Sequence, residues 1–476
     1  VSPPRWIPRD GDLLTSSTYL GCVTSGHVVP GRLKFAASIE PFFSSLVPTQ
    51  SYAMPEYSIP ASRKVFARFD QPAVCINRRA FAQATKFMYR FWSSYMTVLP
   101  WTHQEVIDSL DLTTSVGFPF NSTFSCKRDM FESCGTGFLE VCYEFFRQHP
   151  YRSIFDQSLK EEIRPVGKDP RGILCAPVDQ VYISKRVFGA QTAGFYLSAL
   201  ETPSAVGMSR EHLGWNQLFK YLNKHPLGIS IDIKRFDSRM SSFVMDTIRD
   251  FRIACGADAR LACAIYEQLN DTLVRLPDGS LYLKEGGNPS GSTTTTADNT
   301  QANFLANMTC LLIQFPDLTF DVFRENFTMF LYGDDMVCTS SYPVDWSRHL
   351  SLLRVNFGYD STIEAMGPAS DLCFLGGRFG VFHIGPVPVA VPIMDSLKMA
   401  HHLLFKNRNV SDERVIERLF AIRRLAPFND DLMVCVDLAI GFLAKHVPAP
   451  VYAKYHVSLD VAKSLYLYPA LTNQLN

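Results

Sequence analysis

The chain has 476 residues, 47% hydrophobic and 19% charged, with 46 basic and 46 acidic side chains. Length alone suggests about three domains or subdomains, and the hydrophobic share suits large packed cores. Zero net charge excludes a nucleic-acid binder that is basic all over, but leaves room for one that confines its positive charge to a channel.

The N-terminus is polar and Pro-rich, lacks the apolar core of a signal peptide, and begins with Val1, which suggests release from a longer precursor. Residues 1 to about 110 read as irregular and aromatic-rich, with a helix expected around 78–95. Cys22 and His27 raise a thiol protease, but no nucleophile turn accompanies them. Twelve cysteines occur without a CxxC pair, and Cys126, Cys134 and Cys142 are spaced by eight. They read as reduced thiols, not a disulfide framework or a zinc site. No apolar run is long enough to cross a bilayer, since even 432–447 is interrupted by Asp437 and Lys445.

Ser115-Val116-Gly117-Phe118-Pro119 predicts a shaped loop. Residues 159–186 carry the densest basic cluster: Lys160, Arg164, Lys168, Arg171, Lys185 and Arg186, with acids interleaved. Such a run is either a salt-bridged surface or a loop offering Lys and Arg to phosphates. Residues 227–233 alternate like a strand. Asp232 falls near its end, and Asp237 follows after four intervening residues. A buried strand ending in a carboxylate calls for a partner or a metal. A helix is expected from about Ser241 to Gly256, with Val244, Ile248 and Phe251 inward.

Gly286-Gly287-Asn288-Pro289-Ser290-Gly291 cannot be helical. The following stretch to Leu312 is helix-compatible, and Thr295, Asn299 and Asn303 share one polar face. The run Thr293–Thr296 is not a natural helix former. Ser290 as a hydrolase nucleophile is a poor reading, because its surroundings are not GxSxG.

Phe327–Leu331 and Met336–Cys338 are apolar runs joined by Tyr332-Gly333-Asp334-Asp335. They predict a tight hairpin with Gly at the first central position of a type II′ turn. Two adjacent carboxylates at its tip suit a hard divalent cation. An amphipathic helix is expected over 346–356. Phe374-Leu375-Gly376-Gly377-Arg378 leads into apolar strands through Val391. From Asp395 the pattern is helical, with Val415, Leu419 and Ile422 on one helix and Leu432, Val436, Ala439 and Leu443 on another.

Taken together, these stretches resemble the RNA-dependent RNA polymerases of positive-strand RNA viruses, of the picornavirus-like supergroup. Ser115-x-Gly117-Phe118-Pro119 resembles motif G. Lys160-Glu161-Glu162-Ile163-Arg164, with Lys168 and Arg171, resembles motif F. Asp232-x4-Asp237 resembles motif A. Ser290-Gly291-x3-Thr295-x3-Asn299 resembles motif B, in a form similar to astrovirus and potyvirus enzymes. Tyr332 to Asp335 resembles motif C, and Phe374 to Arg378 resembles motif E. Any one is weak, whereas the whole set in the family's order is specific.

The resemblance implies an α+β right-hand fold of fingers, palm (an antiparallel sheet backed by helices) and helical thumb. The expected division is 1–226 fingers, 227–256 palm, 257–285 fingers insertion, 286–391 palm and 392–476 thumb. It implies Asp232, Asp334 and Asp335 around two Mg²⁺ ions, with Mn²⁺ an alternative. It implies Asp237, Ser290, Thr295 and Asn299 at the ribose, and Lys160, Arg164, Lys168 and Arg171 at the triphosphate. Ser115, Gly117, Pro119, Gly291, Phe374, Leu375 and Arg378 are expected along template and primer. The implied partners are an RNA template, a nascent strand and NTPs. A protein primer and other viral replication proteins stay open. The implied location is the host cytoplasm, at membrane-associated replication complexes.

Two departures stand out. Motif E has Gly376-Gly377 where many relatives carry a basic residue. No lysine lies between Lys284 and Lys398, although many relatives place one in motif D. The equivalent place falls near Ala365, Met366 or Gly367, with His349 earlier. The leaving group is then expected to be neutralised by metal and by Lys160, Lys168 or Arg171. A reverse transcriptase shares the palm and its aspartates, but normally carries a bulky residue where Asp237 stands. A polymerase-like RNA-binding module without catalysis would be expected to lose a metal ligand, and none is lost.

Overall fold

The computed structural model describes residues 17–23, 33–36, 38–47, 51–69, 71, 74–407 and 411–469. Val1 and His27 lie outside them. Among the described residues no disulfide joins any of the twelve cysteines. Among the described residues no helix is long and apolar enough to cross a membrane.

The centre is a four-stranded antiparallel sheet in the order Phe327–Tyr332, Asp335–Ser340, Leu227–Lys234, Asp360–Gly367. Strand alternation sends successive side chains to opposite faces, and this decides what covers each. Ile229, Ile231 and Ile233 enter the largest core. They meet Val244, Ile248 and Phe251 of helix Ser242–Ala254, Phe304 of helix Thr295–Gln314, and Leu353 and Phe357 of helix Trp346–Phe357. On the other face Phe330 and Val337 pack with Trp215 and Leu218 of helix Gly214–Leu222 and with Phe374 and Phe379. That helix belongs to the stretch read as fingers, yet it covers the palm sheet.

A second sheet of five strands runs Ser17–Cys22, Ser280–Glu285, Asp271–Arg275, Ile154–Leu159, Gly172–Cys175. The hairpin within 257–285 therefore joins strands from the first half of the chain, with Asp271–Arg275 parallel to Ile154–Leu159. Helices Ser396–Leu404, Asp412–Leu425 and Asp430–Leu443 build the C-terminal core around Leu403, Leu419, Leu432 and Val436.

Ile39 and Phe43, from the stretch read as fingers, are buried in that same C-terminal core. Strand Leu33–Phe35 pairs with Phe405–Asn407, and Tyr52–Ala53 pairs with Arg164–Pro165. Leu33–Phe35 and Tyr52–Ala53 thus link the C-terminal core to the basic loop around Arg164. The apolar residues of this N-terminal stretch carry no periodicity that could have named their partner core. The architecture is α+β, with the fingers, palm and thumb that the resemblance implies.

Candidate active site

Tyr332 pairs with Asp335, so the loop between the two strands is Gly333-Asp334 alone. Gly333 has φ +62° and Asp334 has no positive φ, the φ combination of a type II′ turn rather than a type I′ turn. The polar face of helix Thr295–Gln314 holds this turn by its backbone. Gly333 N donates to Thr300 Oγ1 at 2.9 Å, and Asn303 Nδ2 donates to Gly333 O at 2.9 Å and to Asp334 O at 3.1 Å. The polar face on which Asn303 lies is thus used to grip peptide groups. The two carboxylates stay free.

Asp232 reaches the same place from the neighbouring strand. Met336 stands opposite Ile231, so one step further Asp335 and Asp232 stand at adjoining strand ends. Burial pushes the Asp335 carboxyl from the ordinary 3.8 up to about 7, and the charges of Asp334, Glu364 and Asp232 add to the shift. Burial also raises Asp334, with Asp232 and Glu364 adding to the rise and Arg171 opposing it. Acids gathered in this way favour an added cation. Among the described residues no three His, Cys, Asp or Glu side chains form a ready-made metal cage. Mg²⁺ usually takes one or two carboxylates and completes its shell with water and substrate phosphate. The donor set fits that habit.

A second group lies beside the first. Asp237 sits in the short helix Phe236–Arg239, entered through Arg235 at φ +57°. Asn299 Nδ2 donates to Asp237 Oδ1 at 2.5 Å, and Asn288 Nδ2 donates to Asn299 Oδ1 at 2.8 Å. Burial moves the Asp237 carboxyl up to about 6, with Asp334 adding and the Asn299 hydrogen bond opposing. Asn288 N also donates to Asp237 O at 2.7 Å, which fastens the loop before helix Thr295–Gln314 to motif A. Fully buried Lys284 supports the loop from beneath, donating to Gly286 O and, at 2.9 Å, to Gly287 O. Ser290 Oγ accepts from Leu174 N at 3.2 Å, and a Cβ at Gly291 would lie 2.1 Å from Leu174 O. Thr295 Oγ1 donates to Pro289 O at 2.7 Å and so closes the loop.

The basic cluster divides. Lys160, Arg164 and Arg171 surround the carboxylate of Glu162, Lys160 at 3.4 Å and Arg164 at 3.8 Å, with Arg171 gripping both oxygens. Burial disfavours the Glu162 charge, but the Arg171 hydrogen bonds and the three cations outweigh it and hold the carboxyl below its ordinary range. Three cations around one acid leave a positive excess, and the Arg171 charge is felt by Asp334 and Asp237. Lys168 is exposed in the turn between these residues. Lys185 and Arg186 are elsewhere, on helix Val178–Leu197, bound to Ser109 and to Trp101 and Glu140.

The loop of Ser115, Gly117 and Pro119 is held by Lys127, whose Nζ donates to Ser115 O at 2.9 Å. A Cβ at Gly117 would lie 2.6 Å from Pro177 Cα. In motif E, Phe374 pairs with Gly377, which leaves Leu375 (φ +51°) and Gly376 (φ +71°) as the turn. Arg210 Nη2 donates to Leu375 O at 2.8 Å. A base is thus present at motif E, supplied from a different segment. Phe374 is buried and Arg378 is exposed.

Sequence reasoning missed Glu364, Arg210, Asn288 and Thr300. Glu364 sits where strand Asp360–Gly367 breaks register against Leu227–Lys234, a feature with no composition signal. His349, the one early acid available near motif D, is fully buried and burial pushes its imidazole down to about 3. It cannot donate a proton to a leaving group.

Comparison with known proteins agrees with this geometry. The family model described as viral RNA-dependent RNA polymerase matches residues 71–388, more than half of the chain. Genome polyprotein 1 of barley mild mosaic virus (strain Na1) is 30% identical over 266 residues, covering 51% of this chain and 12% of the polyprotein. The genome polyprotein of Salivirus A (isolate Human/Nigeria/NG-J1/2007) is 28% identical over 246 residues, covering 49% of this chain and 10% of the polyprotein. The chain therefore matches only about a tenth of those relatives' length. Among solved structures, the sicinivirus 3Dpol RNA-dependent RNA polymerase superposes with a TM-score of 0.73 at 17% identity, covering 92% of this chain and 98% of that one. That likeness is one of fold. With the family match spanning the stretches that resemble motifs G to E, the chain belongs to the viral RNA-dependent RNA polymerases.

Proposed function

We propose that this chain performs template-directed RNA synthesis, joining nucleotides from NTPs to an RNA 3′-hydroxyl, and that it does so in replicating a positive-strand RNA virus genome. One observation carries the reading. Asp232, Asp334 and Asp335 meet at adjoining strands, on a turn held through its backbone, so that no other described residue hydrogen-bonds to the Asp334 and Asp335 carboxylates. Two Mg²⁺ ions held by these carboxylates, or Mn²⁺ in their place, would supply the charge that lowers the pKa of a 3′-hydroxyl and steadies pyrophosphate.

The chain's own residues supply the rest. Lys160, Arg164 and Arg171, with Lys168 at the turn, offer a net positive surface to a triphosphate. Asp237, held by Asn299, can accept a hydrogen bond from a ribose 2′-hydroxyl, the group that distinguishes RNA precursors from DNA precursors. The motif E turn of Leu375 and Gly376, braced by Arg210, supports a primer end. The loop of Ser115, Gly117 and Pro119 borders a template path.

The test is a one-tube assay with polyC template, GTP or dGTP and Mg²⁺, with and without primer. GTP incorporation that Asp334→Ala and Asp232→Ala each abolish, at unchanged RNA affinity, is the expected result. A tenfold loss of RNA affinity at fixed salt in either variant would make these carboxylates supports for RNA rather than for a cation. Preference for dGTP would favour reverse transcription. Binding of RNA without synthesis would favour an assembly module.

A further inference from the structure

The hydrogen bonds that hold the aspartate turn do not end at Asn303. Asn307, one turn further along the same helix, donates from Nδ2 to Asn303 Oδ1 at 2.6 Å and to Asn303 O at 3.0 Å. His349 Nε2 stands 2.9 Å from Asn307 Oδ1, and Gln314 Nε2 stands 3.4 Å from His349 Nδ1. Asn303, Asn307 and His349 are all fully buried.

The polarity of this chain is determined link by link. The carbonyls of Gly333 and Asp334 can only accept, so Asn303 must turn its NH₂ toward them. Its oxygen then faces Asn307, which must present NH₂ in turn. The Asn307 oxygen is left for His349, whose proton therefore sits on Nε2. Burial keeps the imidazole neutral, pushing it down to about 3, so Nδ1 is an acceptor and takes the Gln314 amide. One residue on helix Trp346–Phe357 thus completes the relay, supplying the only donor that the Asn307 oxygen meets among the described hydrogen bonds.

We propose that His349 is a positioning residue for the aspartate turn: through Asn307 and Asn303 it fixes the Gly333 and Asp334 peptide groups, and hence the direction of the Asp334 carboxylate. The proposal rests on reading Asp232, Asp334 and Asp335 as the cation-binding centre. Without the imidazole donor the buried Asn307 oxygen is left unpaired, and the side chain is free to turn toward another donor, withdrawing its NH₂ from Asn303. Asn303 then loses the bond that holds its own oxygen, so its NH₂ grips the carbonyls of Gly333 and Asp334 less firmly and the central peptide of the turn gains freedom to rotate. A buried network that merely stabilised packing would lower the melting temperature without touching cation affinity below it.

The experiment uses the whole chain without RNA, with Mn²⁺ alone as the probe, read by electron paramagnetic resonance. Amide exchange of the segment 331–336 is read alongside. His349→Leu is expected to weaken Mn²⁺ binding about tenfold and to speed exchange at the turn. His349→Gln, which retains an N–H donor, should bind within about twofold of wild type. If His349→Leu fails to fold, the double variant His349→Leu with Asn307→Leu replaces both partners by apolar groups, a change that a buried pair tolerates better than loss of one. It should show the same loss. Wild-type Mn²⁺ affinity in the leucine variants, or equal impairment in His349→Gln and His349→Leu, overturns the proposal. If wild-type Mn²⁺ binding survives Asp334→Ala, the cation-centre reading itself has failed, and the positioning proposal falls with it.

Discussion

Asp335→Asn should make the metal-free protein more stable at alkaline pH and less able to bind a divalent cation. The Asp335 carboxyl is held at about 7 against an ordinary 3.8. A shift of roughly three units corresponds to about 4 kcal/mol as an upper bound. Partial exposure and screening by water reduce that to roughly 1–2 kcal/mol. The sign follows from proton linkage. Between about pH 4 and pH 7 the folded state holds this proton more tightly than the unfolded state, so stability falls as pH rises through that window. The penalty is full above pH 7 and absent below the unfolded value. An asparagine never bears it. Thermal unfolding in EDTA should therefore place Asp335→Asn above wild type by a couple of degrees at pH 8, and level with it at pH 4.5. Adding Mn²⁺ at pH 8 should raise wild type more than the variant, because only the protein with all three carboxylates gains the full binding energy. A wild type at least as stable as the variant at pH 8 without metal would refute the reasoning. So would an advantage of the same size at pH 4.5.

Asp237→Ala and Asn299→Ala should each lower discrimination between NTP and dNTP more than they lower template affinity, because a site built to hydrogen-bond a hydroxyl rejects the analogue lacking it. Equal loss for both sugars in single-nucleotide incorporation would make the pair structural. Glu162→Gln should raise the KM for NTP by about tenfold, equivalent to ~1.4 kcal/mol, because Lys160, Arg164 and Arg171 lose the acid that gathers them. An unchanged KM in steady-state incorporation would mean that these cations reach the triphosphate without Glu162.

The parts legible in the sequence were those written in local patterns. The hairpin at Gly333-Asp334, the strand ending in Asp232, the helix beginning at Ser241 and the helix bearing Thr295, Asn299 and Asn303 all follow from periodicity and turn chemistry. Residues joined only by tertiary structure were not legible. Ile39 and Phe43 are apolar in any reading, and nothing local says that they complete the thumb core. Arg210 lies more than a hundred residues from the turn it braces. Glu364 owes its position to a break in strand register, which no composition signal marks. The basic run 159–186 looked continuous, yet a helix starting at Val178 carries Lys185 and Arg186 to a different surface. Asn303 was visible as a polar residue on a polar face. That the face serves backbone carbonyls, leaving the aspartate side chains of the turn unengaged, required the fold.

The absent motif D lysine can now be placed in physical terms. Met366 is exposed on an edge strand, Ala365 is partly buried in a small core, and neither side chain can release a proton. His349 has the right chemistry but is committed to the Asn307 relay, sealed from solvent and neutral over the working range. Glu364 is close enough for its charge to raise Asp334 and Asp335, which makes it a poor neighbour for a departing anion. Lys398 opposes the rise of Asp335 from the C-terminal side, and Arg171, itself raised by its Glu162 hydrogen bonds, is the cation whose charge reaches both Asp334 and Asp237. A guanidinium does not give up its proton at any working pH. In the proposed reaction its contribution to pyrophosphate departure would be fixed charge, in place of the proton transfer that a lysine supplies. On that reading the burden would pass from motif D to the basic loop, where Glu162 holds Arg171 by both carboxylate oxygens and sets the direction of that charge.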